Sequence, residues 1–227
     1  MKRLDNRKAD EIRPITIKVG VVKQADGSAM VTMGKTTAIA AVYGPRTRYP
    51  KWLQESDKAV LRTYYTMVPF STDERVRPGP SRRSQEISKV TRLALEPAIF
   101  LEEFPRATIC VFIDVMEADA GTRTAGINAA SMALADAGVP MRDLVAAVAA
   151  GKIGDEYVLD LEGKEEEVTK CDMPVACMPR TNKITLLQMD GNLPPEDVKK
   201  VMNLALKGCK IIYEKQKEAL REKWKIE

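Results

Sequence analysis

Asp114-Val-Met-Glu117-Ala-Asp119-Ala-Gly121-Thr122-Arg123-Thr-Ala-Gly-Ile-Asn-Ala-Ala130 carries the chain from one element into another within a few residues. The apolar run Ala107–Met116 ahead of it predicts a strand, and the small residues of Thr124–Ala137 after it predict a helix that can pack closely against a sheet. The helix start therefore falls at Gly121-Thr122-Arg123. Free backbone N–H groups and the positive end of the helix dipole suit such a start to a phosphate. Thr122 has a plainer role open to it, as an ordinary N-cap. Arg123 tips the balance, because a cation in a first turn opposes the dipole unless an anion is bound there.

Working outward, alternation at Ile15, Ile17, Val19 and Val21 predicts a strand. Ala25–Ser28 reads as a turn, Ala29–Met33 and Thr37–Tyr43 as further strands of a meander, and Val60–Val68 as another strand. Arg46–Ser56 is expected to be a loop and Pro69–Arg83 a linker rich in proline and charge. Helical spacing runs from Ser84 to Phe104, with Pro97 set to kink or interrupt it.

Beyond the central helix, Leu144–Gly151 and Glu156–Leu161 predict a hairpin, Glu162–Lys170 an acidic loop, and Met173–Met178 and Ile184–Met189 strands. Pro194-Pro195-Glu-Asp opens a last amphipathic helix with its stripe at Val198, Val201, Met202, Ala205, Cys209, Ile212 and Tyr213. The order predicts an α+β domain of two βα halves, with mixed sheets and packed helices around one layered core. Residues 1–13 form an N-terminal arm, 14–145 the first half, and 146–227 the second half with the C-terminal helix.

Composition narrows the chemistry. The chain of 227 residues contains no histidine, which removes Ser-His-Asp and Cys-His catalysis and every His-ligated metal site. Acid–base work falls to carboxylates, Lys or Tyr. A net charge of +4 does not argue nucleic-acid binding by itself, so the placement of cations must carry that case. The four cysteines, Cys110, Cys171, Cys177 and Cys209, match no zinc spacing and are expected to be reduced thiols. No apolar stretch reaches membrane-spanning length and no signal-peptide core follows Met1, so a cytoplasmic protein is expected.

Arg82 and Arg83 stand at a helix start, where Arg can hold phosphate through paired hydrogen bonds. Asp172 heads a strand; by spacing alone it satisfies a turn as readily as it does chemistry. Glu165-Glu166-Glu167 is by base rate a solvated run, but a folded-back loop could bring one of them to Asp172 as a metal site or general acid. Tyr64 and Tyr65 are adjacent in a strand, so one faces in and the other out. Lys51 and Trp52 lie in a basic loop that suits either single-stranded nucleic acid or a subunit interface.

Eight segments together resemble the RNase PH family, in the branch that builds the catalytic subunit of the archaeal exosome ring. They are Glu11–Ile15, Ala25–Ser28, Ala40–Pro45, Val68–Arg75, Pro80–Arg83, Glu117–Arg123, Ala135–Met141 and Asp172–Pro174, covering nearly the whole chain in one register. The resemblance implies a phosphorolytic 3′→5′ exoribonuclease with inorganic phosphate as co-substrate. It also implies an alternating hexameric ring with a non-catalytic RNase PH-like subunit, capped by RNA-binding subunits.

Site residues carry over one by one. Gly121, Thr122 and Arg123 bind phosphate, with Thr where the family usually has Ser. Arg82 and Arg83 bind RNA, Tyr65 stacks on a base, and a pore-constriction loop falls at Lys51 and Trp52. Asp172 and, six residues earlier, Glu166 in place of the usual Asp are the catalytic acids and the place for Mg²⁺ or Mn²⁺. The longer arm of Glu166 leaves open a ring subunit that binds RNA without catalysis. A homohexameric enzyme trimming tRNA 3′ ends is the other alternative. The family's Asp-Gly-Arg-Lys is Asp5-Asn6-Arg7-Lys8 here.

Overall fold

The computed structural model describes Arg3 and residues 5–225; the rest of the expected arm and the last two residues lie outside the described part. The first sheet holds β1 (Ile15–Val19), β2 (Gly27–Met33), β3 (Thr36–Thr47), β4 (Val60–Met67) and β5 (Ala107–Glu117), in the order β1-β2-β3-β5-β4. Neighbours are antiparallel except β4 and β5, which run parallel. Their connection carries α1 (Arg82–Leu95), as a parallel crossover requires.

Helix α2 (Thr122–Asp136) leaves the end of β5 and is buried along almost its whole circumference. Its alanines and Gly126 let it lie close to two sheets at once, against β2 and β3 of the first and β6 and β8 of the second. Val31 and Met33, Ala38 and Ala40, and Ile109, Val111 and Ile113 alternate inward from the first sheet, each with no exposed surface.

The second sheet has β6 (Ala146–Ile153), β7 (Glu156–Leu159), β8 (Cys171–Met178), β9 (Lys183–Leu187) and the two-residue β10 (Asp190–Gly191). Its order is β10-β8-β6-β7, with β9 also paired to β8. Helix α4 (Pro195–Lys223) lays Val201, Ala205, Cys209 and Ile212 against this sheet and reaches β1. The four cysteines are free thiols.

The structure corrects several local expectations. The turn expected at Ala25–Ser28 ends earlier, because Gly27 already belongs to β2. A methyl group on Gly27 would sit 2.2 Å from the Ala137 amide nitrogen, so glycine is what lets α2 end against this strand. The helix expected over Ser84–Phe104 stops at Leu95, and Glu96–Ala98 continues as a single 3₁₀ turn around Pro97. The loop expected at Arg46–Ser56 begins inside β3, which runs to Thr47 past an irregular register, and it contains a 3₁₀ turn at Lys51–Leu53. The acidic loop contains the short helix α3 (Gly163–Val168), a change that bears on the site.

Candidate active site

A cavity of about 710 Å³ opens where the two halves meet. The first half contributes Arg83 from α1 and Gly121, Thr122 and Arg123 from the start of α2; the second contributes Glu166 from α3 and Asp172 from β8. Two stretches 43 residues or more apart in sequence are thus brought together by the packing of α2 between the sheets.

At the start of α2 the chain turns through Ala120 (φ 57°) and Gly121 (φ 65°), both left-handed. Gly121 is the N-cap, and no side chain caps the helix. Thr122 is therefore the first helical residue and not the plain N-cap that the sequence allowed. Thr124 is turned back, its hydroxyl donating to the Gly121 carbonyl at 2.8 Å. The first-turn N–H groups are left for a ligand, which is the condition for an anion site.

Arg123 is held from one side. Its Nη1 donates to Gln188 Oε1 at 2.6 Å, Gln188 Nε2 donates to Glu86 Oε1 at 3.2 Å, and Arg123 Nη2 lies 3.9 Å from the same Glu86 oxygen. Its buried Nε has no hydrogen-bond partner among the described residues. A buried guanidinium donor left open beside an uncapped helix start calls for an oxyanion.

Asp172 faces this cation with one carboxyl oxygen, Oδ1, buried and without a hydrogen-bond partner among the described residues. Burial, reinforced by the Glu166 carboxylate and by Asp190, pushes its pKa up to about 6, against the opposing pull of Arg123 and Arg83. Asp190 stands directly across from Asp172 in the β10–β8 register. A carboxyl group tuned close to neutral pH beside an anion site can donate a proton.

Which of the three consecutive glutamates serves the cleft is decided by the N-terminal arm. Arg3 Nε and Nη2 grip Glu165 at 2.8 and 2.6 Å, with both side chains buried. Burial works against the charge of Glu165, and the Arg3 hydrogen bonds overcome it, so its pKa lies below the ordinary value. Glu166 and Glu167 are both exposed, and of the two only Glu166 lines the cavity.

Other expected residues separate. Arg82 and Arg83 are both exposed in the first turn of α1, but only Arg83 lines the cavity. The Tyr65 ring is 4% exposed, and a methyl on Gly126 would lie 3.6 Å from its edge. Burial raises the pKa of its hydroxyl, Thr122, Arg83 and Arg123 oppose that rise, and the residue lines the cavity. The outward tyrosine is Tyr64, stacked on Phe112 with ring centroids 4.9 Å apart. Lys51 and Trp52 lie outside this cavity, and Trp52 is 83% exposed.

Sequence reading missed Gln188, Glu86 and Asp190. Gln188 and Asp190 follow β9, and nothing in their spacing signals the cleft; their place depends on strand pairing with β8. Among the described residues, no group of three or more His, Cys, Asp or Glu side chains gathers closely enough to hold a metal ion. The unpartnered Asp172 oxygen beside Glu166 does fit a cation shared with a substrate phosphate, since Mg²⁺ commonly takes one or two carboxylates and completes its shell with phosphate and water.

Residues 11–140 match the model of the 3′ exoribonuclease family, domain 1, and residues 143–208 match domain 2, both of the RNase PH type. The chain belongs to this family. It is 61% identical over 223 residues to the exosome complex component Rrp41 of Pyrococcus furiosus, covering 98% of this chain and 89% of that protein. To the Rrp41 of Methanopyrus kandleri it is 57% identical over 222 residues, covering 98% and 93%.

Two solved structures share the fold. Rice Rrp46 superposes with a TM-score of 0.88 at 24% identity, covering 96% of this chain and all of that one. A chain of the Archaeoglobus fulgidus exosome with RNA bound to the active site does so with a TM-score of 0.83 at 22% identity, covering 94% and 92%. No helix among the described residues is long and apolar enough to cross a membrane.

Proposed function

We propose that this chain is a phosphorolytic 3′→5′ exoribonuclease and the catalytic subunit of an archaeal exosome core. Its identity to the exosome components of Pyrococcus and Methanopyrus supports that assignment. The observation that carries the chemistry is one cavity holding an uncapped helix N-terminus, the open Nε of Arg123 and the raised carboxyl of Asp172.

Inorganic phosphate sits on the first-turn N–H groups of α2 beside Thr122 and Arg123. One of its oxygens attacks the phosphorus of the last phosphodiester, and the bond from that phosphorus to the 3′ oxygen of the preceding nucleotide breaks. Asp172, protonated, gives its proton to that leaving oxygen. The products are a nucleoside diphosphate and an RNA one nucleotide shorter with a free 3′ hydroxyl. The protein supplies positioning and charge, since phosphate is itself the nucleophile; this agrees with the absence of histidine.

Arg83, with Arg82 beside it, holds the RNA backbone. Tyr65 lines the same cavity, where the family's base-stacking tyrosine would meet the terminal nucleotide. Exposed Trp52 with Lys51 supports the constriction loop through which RNA enters a ring that alternates this chain with a non-catalytic RNase PH-like subunit under RNA-binding caps. In the alternative form of the site, with Asp172 ionised, Mg²⁺ or Mn²⁺ would be held by Asp172 and Glu166 and would take the place of the proton in offsetting charge at the leaving oxygen. The working place of such a ring is the cytoplasm.

The test is to incubate the chain with its ring partner, 3′-end-labelled RNA, and phosphate or none. Nucleoside diphosphate formed only with phosphate is expected. Monophosphate released equally well without phosphate would overturn the reading.

A further inference from the structure

The phosphate loop and the acidic helix come from different halves, yet one carboxylate joins them. Asp119, in the turn between β5 and α2, uses three of its groups. Its N–H donates to Thr36 Oγ1 at 2.9 Å, and its carbonyl accepts from Arg13 Nη1 at 2.5 Å. Its side-chain Oδ1 accepts from the Gly163 N–H at 3.3 Å, at the first residue of α3.

Two glycines are shaped to this joint. A methyl on Gly163 would sit 2.6 Å from Asp119 Oδ1, so only glycine admits the carboxylate. Gly163 is not in a left-handed conformation, so close approach is the reason for it. A methyl on Gly121 would sit 3.0 Å from Arg13 Nη2. Arg13 is itself fixed by a bidentate pair with Asp160, at 3.0 and 2.8 Å, with both side chains buried. A chain of contacts thus runs from the N-terminal segment through the loop before Gly121 to the helix that carries Glu166.

We propose that Asp119 is a positioning residue that sets the separation between bound phosphate and the Glu166–Asp172 acids by tying the phosphate loop to α3. This rests on the phosphorolytic reading of the cavity. Small displacements of reacting groups cost large factors in rate, on the order of a hundredfold for about 1 Å. The joint itself lies outside the phosphate contacts.

In the assembled ring, Asp119→Ala and Gly163→Ala are each expected to lower kcat for phosphorolysis on the order of tenfold or more. The KM for phosphate should change much less, because Thr36 and Arg13 still hold the loop backbone. Both remove one contact, so the double variant should be no slower than the slower single one. Asp119→Asn keeps an accepting oxygen and should recover most of the rate. Arg123→Ala and Glu166→Gln are measured alongside. If these impair phosphorolysis while Asp119→Ala leaves kcat unchanged, the joint is refuted and the site stands. If Arg123→Ala and Glu166→Gln have no effect, the reading of the cavity fails and the joint fails with it. Losses in the two joint variants that multiply in the double variant, or that follow a fall in melting temperature without rescue by Asn, would also overturn it.

Discussion

Asp172 holds its charge in a place that disfavours it, and the consequence can be measured. Its folded pKa of about 6 lies above the ordinary 3.8, so the folded state binds the proton more tightly than the unfolded chain. Its contribution to stability is therefore fully present below about 3.8 and is lost as pH rises through about 6. A shift of this size corresponds to at most about 3 kcal/mol. Asp172→Asn removes the buried charge and should raise the melting temperature at pH 8 more than at pH 4. The same change should lower phosphorolysis on the order of a hundredfold or more, because the amide donates no acidic proton. Melting curves at the two pH values and rates on one RNA check both halves. Wild-type kcat should fall as pH rises above the apparent pKa of Asp172. Its spacing did not separate a chemical role from that of a turn former; what the structure adds is a buried carboxyl oxygen without a hydrogen-bond partner among the described residues.

Among the elements, α1 and α2 present opposite solutions at their starts. Helix α1 is capped by Ser81, which accepts from the Ser84 N–H at 3.0 Å while Ser84 Oγ accepts from the Ser81 N–H at 2.8 Å. Helix α2 has no side-chain cap. One end is closed by its own sequence and carries its cations outward; the other is left to a ligand. Because Ser81 keeps the cap, Arg82→Ala with Arg83→Ala should leave α1 folded and weaken RNA binding. The loss of up to two phosphate contacts should flatten the dependence of log affinity on log salt by about two. Titration of labelled RNA at several salt concentrations reads this, and an unchanged slope would count against the assignment. The existence of α2 and its start were legible because an apolar strand runs straight into Gly121 and small residues. Helix α3 was not, since a run of charge looks solvated until Arg3 is seen gripping Glu165.

At the scale of the molecule, the halves are joined by a buried polar hinge. Asn128 of α2 donates to the Ala147 carbonyl and accepts the Ala147 N–H, each at 2.8 Å, so it pairs with the edge of β6 as a strand would. Gln216 of α4 donates to Asn128 Oδ1 at 3.3 Å and to the Val145 carbonyl at 3.1 Å. Asn128→Ala leaves those backbone groups buried without partners, at roughly 1–3 kcal/mol for each. A fall of about 2–4 kcal/mol in unfolding free energy is expected, read from urea titration of the chain. A loss below about 0.5 kcal/mol would mean that water takes over these groups.

Sequence alone determined the alternation that makes each inward face, the small-residue helix that two sheets can share, the absence of histidine, and the segments that mark the family. These are local properties, written in periods of two and 3.6 residues and in residue type. Tertiary structure decided which glutamate lines the cavity, that Tyr65 is buried beside it while Tyr64 stacks on Phe112, and that Gln188 and Glu86 hold Arg123. The physical reason is that each depends on a partner far along the chain: Arg3 lies 162 residues from Glu165, and Arg123 lies 65 from Gln188. No pattern within one element records such a meeting; it arises only when α2 is packed between the sheets and the two halves close on one cleft.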